Sequence, residues 1–197
     1  KKFVITRVGR YVKHKGVEWF IRNVVPLLPD HTLFVAAGAV VNQNTAGDKD
    51  YFPLCKKAVQ ELHLEHKVCL LTNISQEQLK ILLNTSDLFV SPNIPVLGSM
   101  EGFGINVLEA SVCRLPVIAS RLEGLQEAIT DGKNGILVEP ENATAFRDAI
   151  VSFVEDKTKR TTLGSSAKQF TETHYHWNII ARLYKERLEK IAEMRHT

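Results

Sequence analysis

The 197 residues are 44% hydrophobic and 24% charged, a composition typical of a globular protein long enough to bury one core. The formal net charge of +3 is far below that of a protein with a continuous basic face, so we expect no nucleic-acid partner. No apolar run approaches the roughly 20 residues needed to cross a bilayer. Peripheral contact with a membrane stays open.

Three cysteines lie far apart in apolar stretches: Cys55, Cys69 and Cys113. They fit neither a disulfide framework nor a metal motif, which predicts a reducing, cytoplasmic compartment. If a membrane is contacted, we expect contact at its cytoplasmic face.

Short apolar runs alternate with amphipathic stretches along the chain, which predicts an α/β fold with a Rossmann-like, doubly wound, six-stranded parallel sheet. The predicted strands are Phe3 to Val8, Thr32 to Ala37, Lys67 to Leu71, Asp87 to Ser91, Pro116 to Ser120 and Gly135 to Val138. Apolar residues at helical spacing from Val17 to Leu28 predict a helix after the first strand. A capping box at Ser75-Gln76-Glu77-Gln78 predicts the start of the helix before the fourth strand.

After the sixth strand the pattern is helical only. We predict extra C-terminal helices at Asn142 to Glu155, Lys157 to Thr173 and Asn178 to Glu193. The last of these has a continuous apolar stripe, long enough to lie across a neighbouring surface. Because no repeat or linker is found, residues 1–197 are interpreted as one domain. The sequence enters a predicted strand at once, which indicates a domain excised from a longer protein.

Two cations surround the turn after the first strand. That strand ends in Val8-Gly9-Arg10, and Lys15-Gly16 precedes the next helix. The pair suits a diphosphate, because the planar guanidinium can bind two phosphate oxygens while the ammonium supplies a mobile point charge. If the diphosphate leaves during a reaction, the same charges would stabilise it in the transition state. Taken alone, such a pair is weak evidence, because basic pairs near a helix start are more often solvated surface charges.

A second polar element follows the fourth strand, in the segment Glu101-Gly102-Phe103-Gly104-Ile105-Asn106-Val107-Leu108-Glu109. Its glycines allow the backbone to approach a ligand, and a helix starting near Phe103 would direct free N–H groups at an anion. Glu101 and Glu109 would lie about 12 Å apart if the whole span were helical. That separation suits a nucleotide sugar, with one carboxylate at the sugar hydroxyls, the other at the ribose, and the diphosphate between them.

These two elements, together with Leu115-Pro116-Val117-Ile118-Ala119 and Asp131-Gly132-x-x-Gly135, closely resemble the C-terminal domain of family 4 retaining glycosyltransferases with the GT-B fold. The resemblance covers nearly the whole chain in order. It implies transfer of a sugar from a nucleoside diphosphate sugar to an acceptor hydroxyl, with the anomeric configuration retained and with no cofactor or metal.

By the same resemblance, Glu101, Arg10 and Lys15 would contribute to catalysis. The donor-binding residues that it implies are Gly9, Arg10, Lys15, Ile74, Glu101, Gly102, Phe103, Gly104, Ile105 and Glu109. The backbone of Thr72-Asn73-Ile74 would contact the base. The last helix would cross onto a missing N-terminal domain, which would bind a sugar, lipid-linked or glycan acceptor; alone, the donor domain would be inactive.

Two positions depart from the family pattern. Arg114 stands where a glycine is usual before Leu-Pro, and Leu122-Glu123-Gly124-Leu125 replaces the commoner double-glycine loop. Both lie in loops, so they bear on fine specificity rather than on the donor site itself. Two other functions stay open: a nucleotide-sugar epimerase with the same two-domain plan, and a non-catalytic nucleotide-sugar-binding module.

Other kinds of site fit less well. Asp48-Lys49-Asp50 is a DxD, the metal and diphosphate signature of a different glycosyltransferase fold, but it lies in the middle of the polar loop from Gly38 to Asp50 rather than directly after a strand. That loop could line a ligand crevice or be mobile. A dinucleotide fingerprint would need a glycine where Val107 stands.

Histidines and serines supply no alternative. The pairs His63 with His66 and His174 with His176 lack further ligands for a metal, and no Gly-x-Ser-x-Gly elbow exists for a serine hydrolase. His14, beside Lys15, is a candidate addition to the positive field around the phosphates when it is protonated.

Overall fold

Six parallel strands form one sheet in the order β3-β2-β1-β4-β5-β6 in the computed structural model, which describes residues 2–40 and 51–194. The strands are β1 (Phe3–Val8), β2 (Thr32–Gly38), β3 (Val68–Thr72), β4 (Leu88–Ser91), β5 (Val117–Ser120) and β6 (Ile136–Val138). Each predicted strand agrees with the observed one to within one residue at either end. The predicted fold is therefore confirmed, and the strand order reverses between β1 and β4, as in a Rossmann sheet.

Eight helices are found in the described part of the chain. They are α1 (Val17–Asn23), α2 (Tyr51–Glu61), α3 (Gln76–Thr85), α4 (Ile105–Val112), α5 (Leu125–Ala128), α6 (Ala143–Glu155), α7 (Lys157–His174) and α8 (Trp177–Met194). The predicted capping box is confirmed, since the Gln78 N–H donates to Ser75 Oγ and the Ser75 N–H donates to Gln78 Oε1. Helices α2 and α5 were not predicted from the sequence.

The helix predicted from Val17 to Leu28 is too long. It ends at Asn23 and is followed by a short 3-10 turn at Val25–Leu27. Pro26 explains the break, because its ring removes a backbone donor and clashes with the preceding helical turn. The apolar residues of the predicted spacing are nevertheless all buried, namely Val17, Phe20, Ile21, Val24 and Leu28, so the spacing identified the core-facing side correctly.

Two apolar layers cover opposite faces of the sheet. One contains residues of α1, α2 and α6, and the other contains residues of α3, α4 and α5. Alternation along a strand sends side chains to both layers, so that Leu88 and Val90 of β4 lie in the first and Phe89 in the second. Helices therefore cover both faces of the sheet, which makes it doubly wound. The ends of the strands are not covered by these layers, and the connecting loops lie there.

The C-terminal helices differ in how they pack. Residues of α7 contact α4, and a Cβ on Gly164 of α7 would lie only 2.1 Å from the Arg114 carbonyl oxygen, so the helix approaches this backbone closely. In α8 no described residue is buried, and its large apolar side chains, including Trp177, Tyr184 and Leu188, are mostly exposed. Its contact with an N-terminal domain stays a prediction.

Candidate functional site

Two loops meet at the point where the strand order reverses. One follows β1 and contains Gly9 to Lys15, and the other follows β4 and contains Pro92 to Gly104. Because neighbouring parallel strands here send their connections to opposite sides, a crevice forms at their carboxyl ends. The predicted site residues, apart from Ile74 and Glu109, all lie on these two loops or at their borders.

The loops are in direct contact. The Ile94 N–H donates to the His14 carbonyl oxygen at 3.0 Å, and His14 Nδ1 lies 2.7 Å from Ser99 Oγ. Gly16 has a left-handed backbone, with a φ of 68°, and a Cβ on it would lie 1.8 Å from the Pro92 carbonyl oxygen. Buried His14 thus helps to join the loops; its contribution to a phosphate field stays a prediction.

A chain of polar side chains runs into the crevice from β4. Ser91 Oγ donates to Asn93 Oδ1 at 3.0 Å, and Asn93 Nδ2 donates to Glu101 Oε2 at 3.1 Å. Lys15 Nζ forms an ion pair with the same Oε2. Within the described residues no hydrogen bond reaches Glu101 Oε1, so one carboxylate oxygen is oriented by the protein while the other is available.

The pair between Lys15 and Glu101 is largely shielded from solvent, with side-chain exposures of 11% and 12%. Burial lowers the pKa of Lys15, and the hydrogen bond to Glu101 opposes this change only in part. Burial alone would raise the pKa of Glu101, but the hydrogen bond and charge of Lys15, with the Asn93 hydrogen bond, lower it overall. Glu101 is therefore ionised at neutral pH.

The backbone of Glu101 is fixed from the other side by the loop between β5 and α5. The Glu101 N–H donates to the Glu123 carboxylate, and the Gly124 N–H donates to the Glu101 carbonyl oxygen. A Cβ on Gly124 would lie 2.3 Å from the Gly102 carbonyl oxygen, so the two loops are in van der Waals contact. This contact of Glu123 was not predicted from the sequence, where the residue stands only as a departure from a glycine pattern.

The helix predicted to start near Phe103 begins at Ile105 instead. Gly104, directly before it, has a left-handed backbone with a φ of 82°. Because this conformation is not helical, the helix can start only after Gly104. Glu101 and Glu109 are consequently not joined by one continuous helix, and the 12 Å spacing inferred from a helix does not apply. Asn106 Nδ2 donates to the Val8 carbonyl oxygen at 2.8 Å, which ties the first turn of α4 to the end of β1.

Two adjoining clefts open at this end of the sheet and share Gly9 and Arg10. The first, of roughly 500 Å³, is also lined by Lys15 and by Glu101 to Asn106. The second, of roughly 280 Å³, is lined also by Ala37 to Ala39, by Asn73 and Ile74, and by Leu79. The structure therefore brings the predicted site residues together around one crevice, with the exception of Glu109.

Glu109 lies on α4, one helical turn after Ile105, and therefore on the same face as that cleft residue. It is exposed and lines neither cleft. Burial by the surrounding protein raises the pKa of its carboxyl group. Arg10 is also exposed, and no ion pair to it is found within residues 2–40 and 51–194, which leaves its guanidinium available to an anion.

The alternative sites gain no support in the described part of the chain. No group of three or more His, Cys, Asp or Glu side chains is placed there to hold a metal ion. His174 stacks on the Phe170 ring at 4.1 Å between centroids. Asp48-Lys49-Asp50 lies outside the described residues, as does most of the polar loop that contains it. None of the helices described is both long and apolar enough to span a membrane.

Comparison with known proteins gives a consistent result. The model of the family described as glycosyl transferases group 1 matches residues 1–170. An uncharacterized glycosyltransferase of Methanocaldococcus jannaschii is 32% identical over 196 residues, which are 96% of this chain and 46% of the relative. The chain spans about half the length of the curated relatives it matches.

Solved structures share the fold. Sucrose-phosphate synthase from Thermosynechococcus elongatus superposes with a TM-score of 0.83 at 25% identity, covering 98% of this chain and 46% of that one. Anabaena HepE, solved with UDP-glucose, superposes with a TM-score of 0.82 at 24% identity, covering 96% of this chain and 49% of that one.

Proposed function

The chain belongs to the glycosyl transferases group 1 family, and from that premise we propose that it binds a nucleoside diphosphate sugar and, in a longer two-domain protein, donates the sugar to an acceptor hydroxyl with retention of configuration. One observation carries the proposal. Two cations, Arg10 and Lys15, and an oriented carboxylate, Glu101, line the same cleft at the switch point of the sheet. Cations suit the diphosphate and the carboxylate suits sugar hydroxyls.

Arg10 and Lys15 bind the diphosphate in this proposal. The exposed guanidinium of Arg10 can contact two phosphate oxygens, and Lys15 lines the same cleft while paired with the Glu101 carboxylate. When the bond to the sugar breaks, negative charge grows on the departing diphosphate and both cations stabilise it. No metal is needed for this role, and we propose that the reaction uses none.

Glu101 positions the transferred sugar. Its Oε2 is held by Lys15 and Asn93, so Oε1 can accept hydrogen bonds from sugar hydroxyls. The backbone from Gly102 to Ile105 lines the same cleft and contacts the sugar and phosphates. The low pKa of Glu101 keeps the carboxylate charged beside the ring, where positive charge develops. We assign it positioning first and charge stabilisation second.

The nucleoside occupies the second cleft and the neighbouring face of α4. The base lies against the backbone at Asn73 and Ile74, which line the second cleft. Glu109, on α4, accepts hydrogen bonds from the ribose. Anabaena HepE, which has this fold, was solved with UDP-glucose, so the fold accommodates a ligand of this class. The acceptor, whether a sugar, a lipid-linked sugar or a glycan, would bind to an N-terminal domain outside this chain. The reaction would take place in the cytoplasm or at the cytoplasmic face of a membrane. The donor domain alone would not transfer sugar.

A thermal-shift panel tests this proposal. The 197-residue chain is heated with uridine, guanosine and adenosine diphosphates and their common sugar conjugates. A ligand at 100 times its Kd adds about 2.7 kcal/mol, which should raise the Tm of a chain of this size by roughly 5–10 °C. We expect one base series to do so in the wild type and none in Arg10→Ala. A shift that is equal in Arg10→Ala, or no shift with any nucleotide, would contradict the proposal.

A further inference from the structure

Arg7 is a buried cation beside the crevice to which the proposed donor site gives no role. It lies in β1, three residues before Arg10, and is completely buried. The alternation of β1 places it on the same side as Phe3 and Ile5, in the apolar layer that also contains Tyr11 and Tyr51. An arginine in a core-facing strand position is rare unless its charge is compensated.

The guanidinium of Arg7 lies directly under the loop that begins the site. Nη1 donates to the carbonyl oxygens of Gly9 and Arg10, the latter at 3.3 Å. A Cβ on Gly9, which has a φ of 137°, would lie 3.3 Å from both Nη1 and Nη2. Arg7 therefore fixes the two carbonyl groups behind the exposed face of Gly9 and Arg10.

The remaining donors of Arg7 have no partner. Nε and Nη2 are buried and unsatisfied, and no ion pair to Arg7 is found within the described ranges 2–40 and 51–194. Burial lowers its pKa to about 10, so the side chain stays protonated at neutral pH. A buried, charged and incompletely hydrogen-bonded guanidinium costs stability, so its presence needs another explanation.

The charges around the crevice supply that explanation. Arg7 and Arg10 both act electrostatically on Lys15, lowering its pKa, and the charge of Glu101 acts on both Lys15 and Arg7. Glu123 also reaches this group, because its carboxylate accepts the Glu101 N–H. Three cations and two carboxylates thus meet here, and positive charge remains in excess. A diphosphate carries the opposite charge, and a charge in a protein interior acts over a longer range than one in water.

We propose that Arg7 is a positioning residue for the donor diphosphate, holding the Gly9 and Arg10 carbonyls from below and attracting the ligand by its uncompensated charge without touching it. This inference rests on the proposed donor site. It explains why the unsatisfied cation lies beneath the loop that bears Arg10 rather than elsewhere in the core. Arg7 then has opposite effects on two quantities: it lowers the stability of the unliganded chain and raises the affinity for the diphosphate.

The test compares Arg7→Met and Arg7→Lys with the wild type by calorimetric titration of inorganic pyrophosphate and of the nucleoside diphosphate that binds best, at low and high salt. Methionine has a similar length and needs no hydrogen bonds. We expect Arg7→Met to keep or raise the Tm of the unliganded chain and to lower the affinity for both ligands about tenfold, with a weaker dependence on salt. Arg7→Lys should recover most of the affinity and of the salt dependence.

Arg114→Met is the matched control. It removes the same charge, but Arg114 lies just before β5, at the opposite end of the sheet from the crevice, so affinity should not change. Wild-type affinity in Arg7→Met would overturn the inference while leaving the donor site intact. Failure of the wild type to bind either ligand would instead contradict the proposed function and this inference with it. If Arg7→Met does not fold, Arg7→Lys alone provides the test. Wild-type affinity in Arg7→Lys without any dependence on salt would then overturn the inference.

Discussion

Replacing Lys15 with alanine is expected to weaken the binding of every nucleoside diphosphate by roughly 10- to 100-fold, the usual value of a charged hydrogen bond. The expected loss has two sources. The ligand loses a cation, and the shielded Glu101 carboxylate, which Lys15 now neutralises, is left to repel the diphosphate. Titration calorimetry with several nucleoside diphosphates would measure the loss and show whether it is independent of the base.

The double variant Lys15→Ala with Glu101→Gln separates the two sources. Glutamine keeps the shape and removes the repelling charge, so the double variant should bind nucleoside diphosphate more tightly than Lys15→Ala alone. If both variants bind equally weakly, the ion pair with Glu101 has no influence on the diphosphate. Binding of wild-type strength in Lys15→Ala would remove Lys15 from the site altogether.

The same ion pair predicts a dependence of stability on pH. The pKa of Glu101 is lower in the folded chain than the ordinary glutamate value. Its contribution to stability is therefore complete above about pH 5 and decreases as the pH falls below roughly 4.3 toward the folded-state pKa. The difference in Tm between wild type and Glu101→Gln should become smaller over that acidic range, and a constant difference would contradict the assignment.

Gly16→Ala should destabilise the chain by about 3 kcal/mol or more, because it combines overpacking with a left-handed backbone. The added Cβ would lie 1.8 Å from the Pro92 carbonyl oxygen and 2.9 Å from its carbonyl carbon, and backbone cannot move away as a side-chain end can. Since this contact joins the two loops of the site, ligand binding should be lost with it. Urea unfolding would measure the change in free energy.

Gly132→Ala is the control for Gly16→Ala. Gly132 has a similar φ of 76°, but a Cβ there would meet nothing within 4 Å. It should cost only the strain of the left-handed conformation, about 1–2 kcal/mol. Equal losses in the two variants would mean that the contact between the loops adds nothing to stability.

The sheet and most of the crevice could be predicted from the sequence because their signals are local. Apolar runs and capping residues mark each strand and many helices, and the ends of β1 and β4 identify the loops that meet at the switch point. The prediction failed where one backbone position decides the outcome. Pro26 ends the first helix early, and the left-handed Gly104 delays the start of α4, which removed the helical spacing assumed between Glu101 and Glu109.

Contacts between distant segments could not be predicted in the same way. Glu123 reaches Glu101 only after the loop between β5 and α5 has packed against the loop after β4, and Asn93 reaches it through the fold of that second loop. Neither residue has a sequence pattern that indicates this. Arg7 is a different case. Its place in the alternation after Phe3 and Ile5 already indicated a core-facing arginine, so the signal was present, but its lack of a partner becomes visible only in three dimensions.

The most direct test of the donor site compares the wild type, Arg10→Ala and Glu109→Ala in binding inorganic pyrophosphate and the preferred nucleoside diphosphate. The site predicts that Arg10→Ala loses affinity for both ligands. It predicts that Glu109→Ala loses roughly tenfold for the nucleotide, the value of about one charged hydrogen bond, and keeps its affinity for pyrophosphate. Equal losses for both ligands in Glu109→Ala, or wild-type binding of pyrophosphate by Arg10→Ala, would contradict this division of the crevice between ribose and diphosphate.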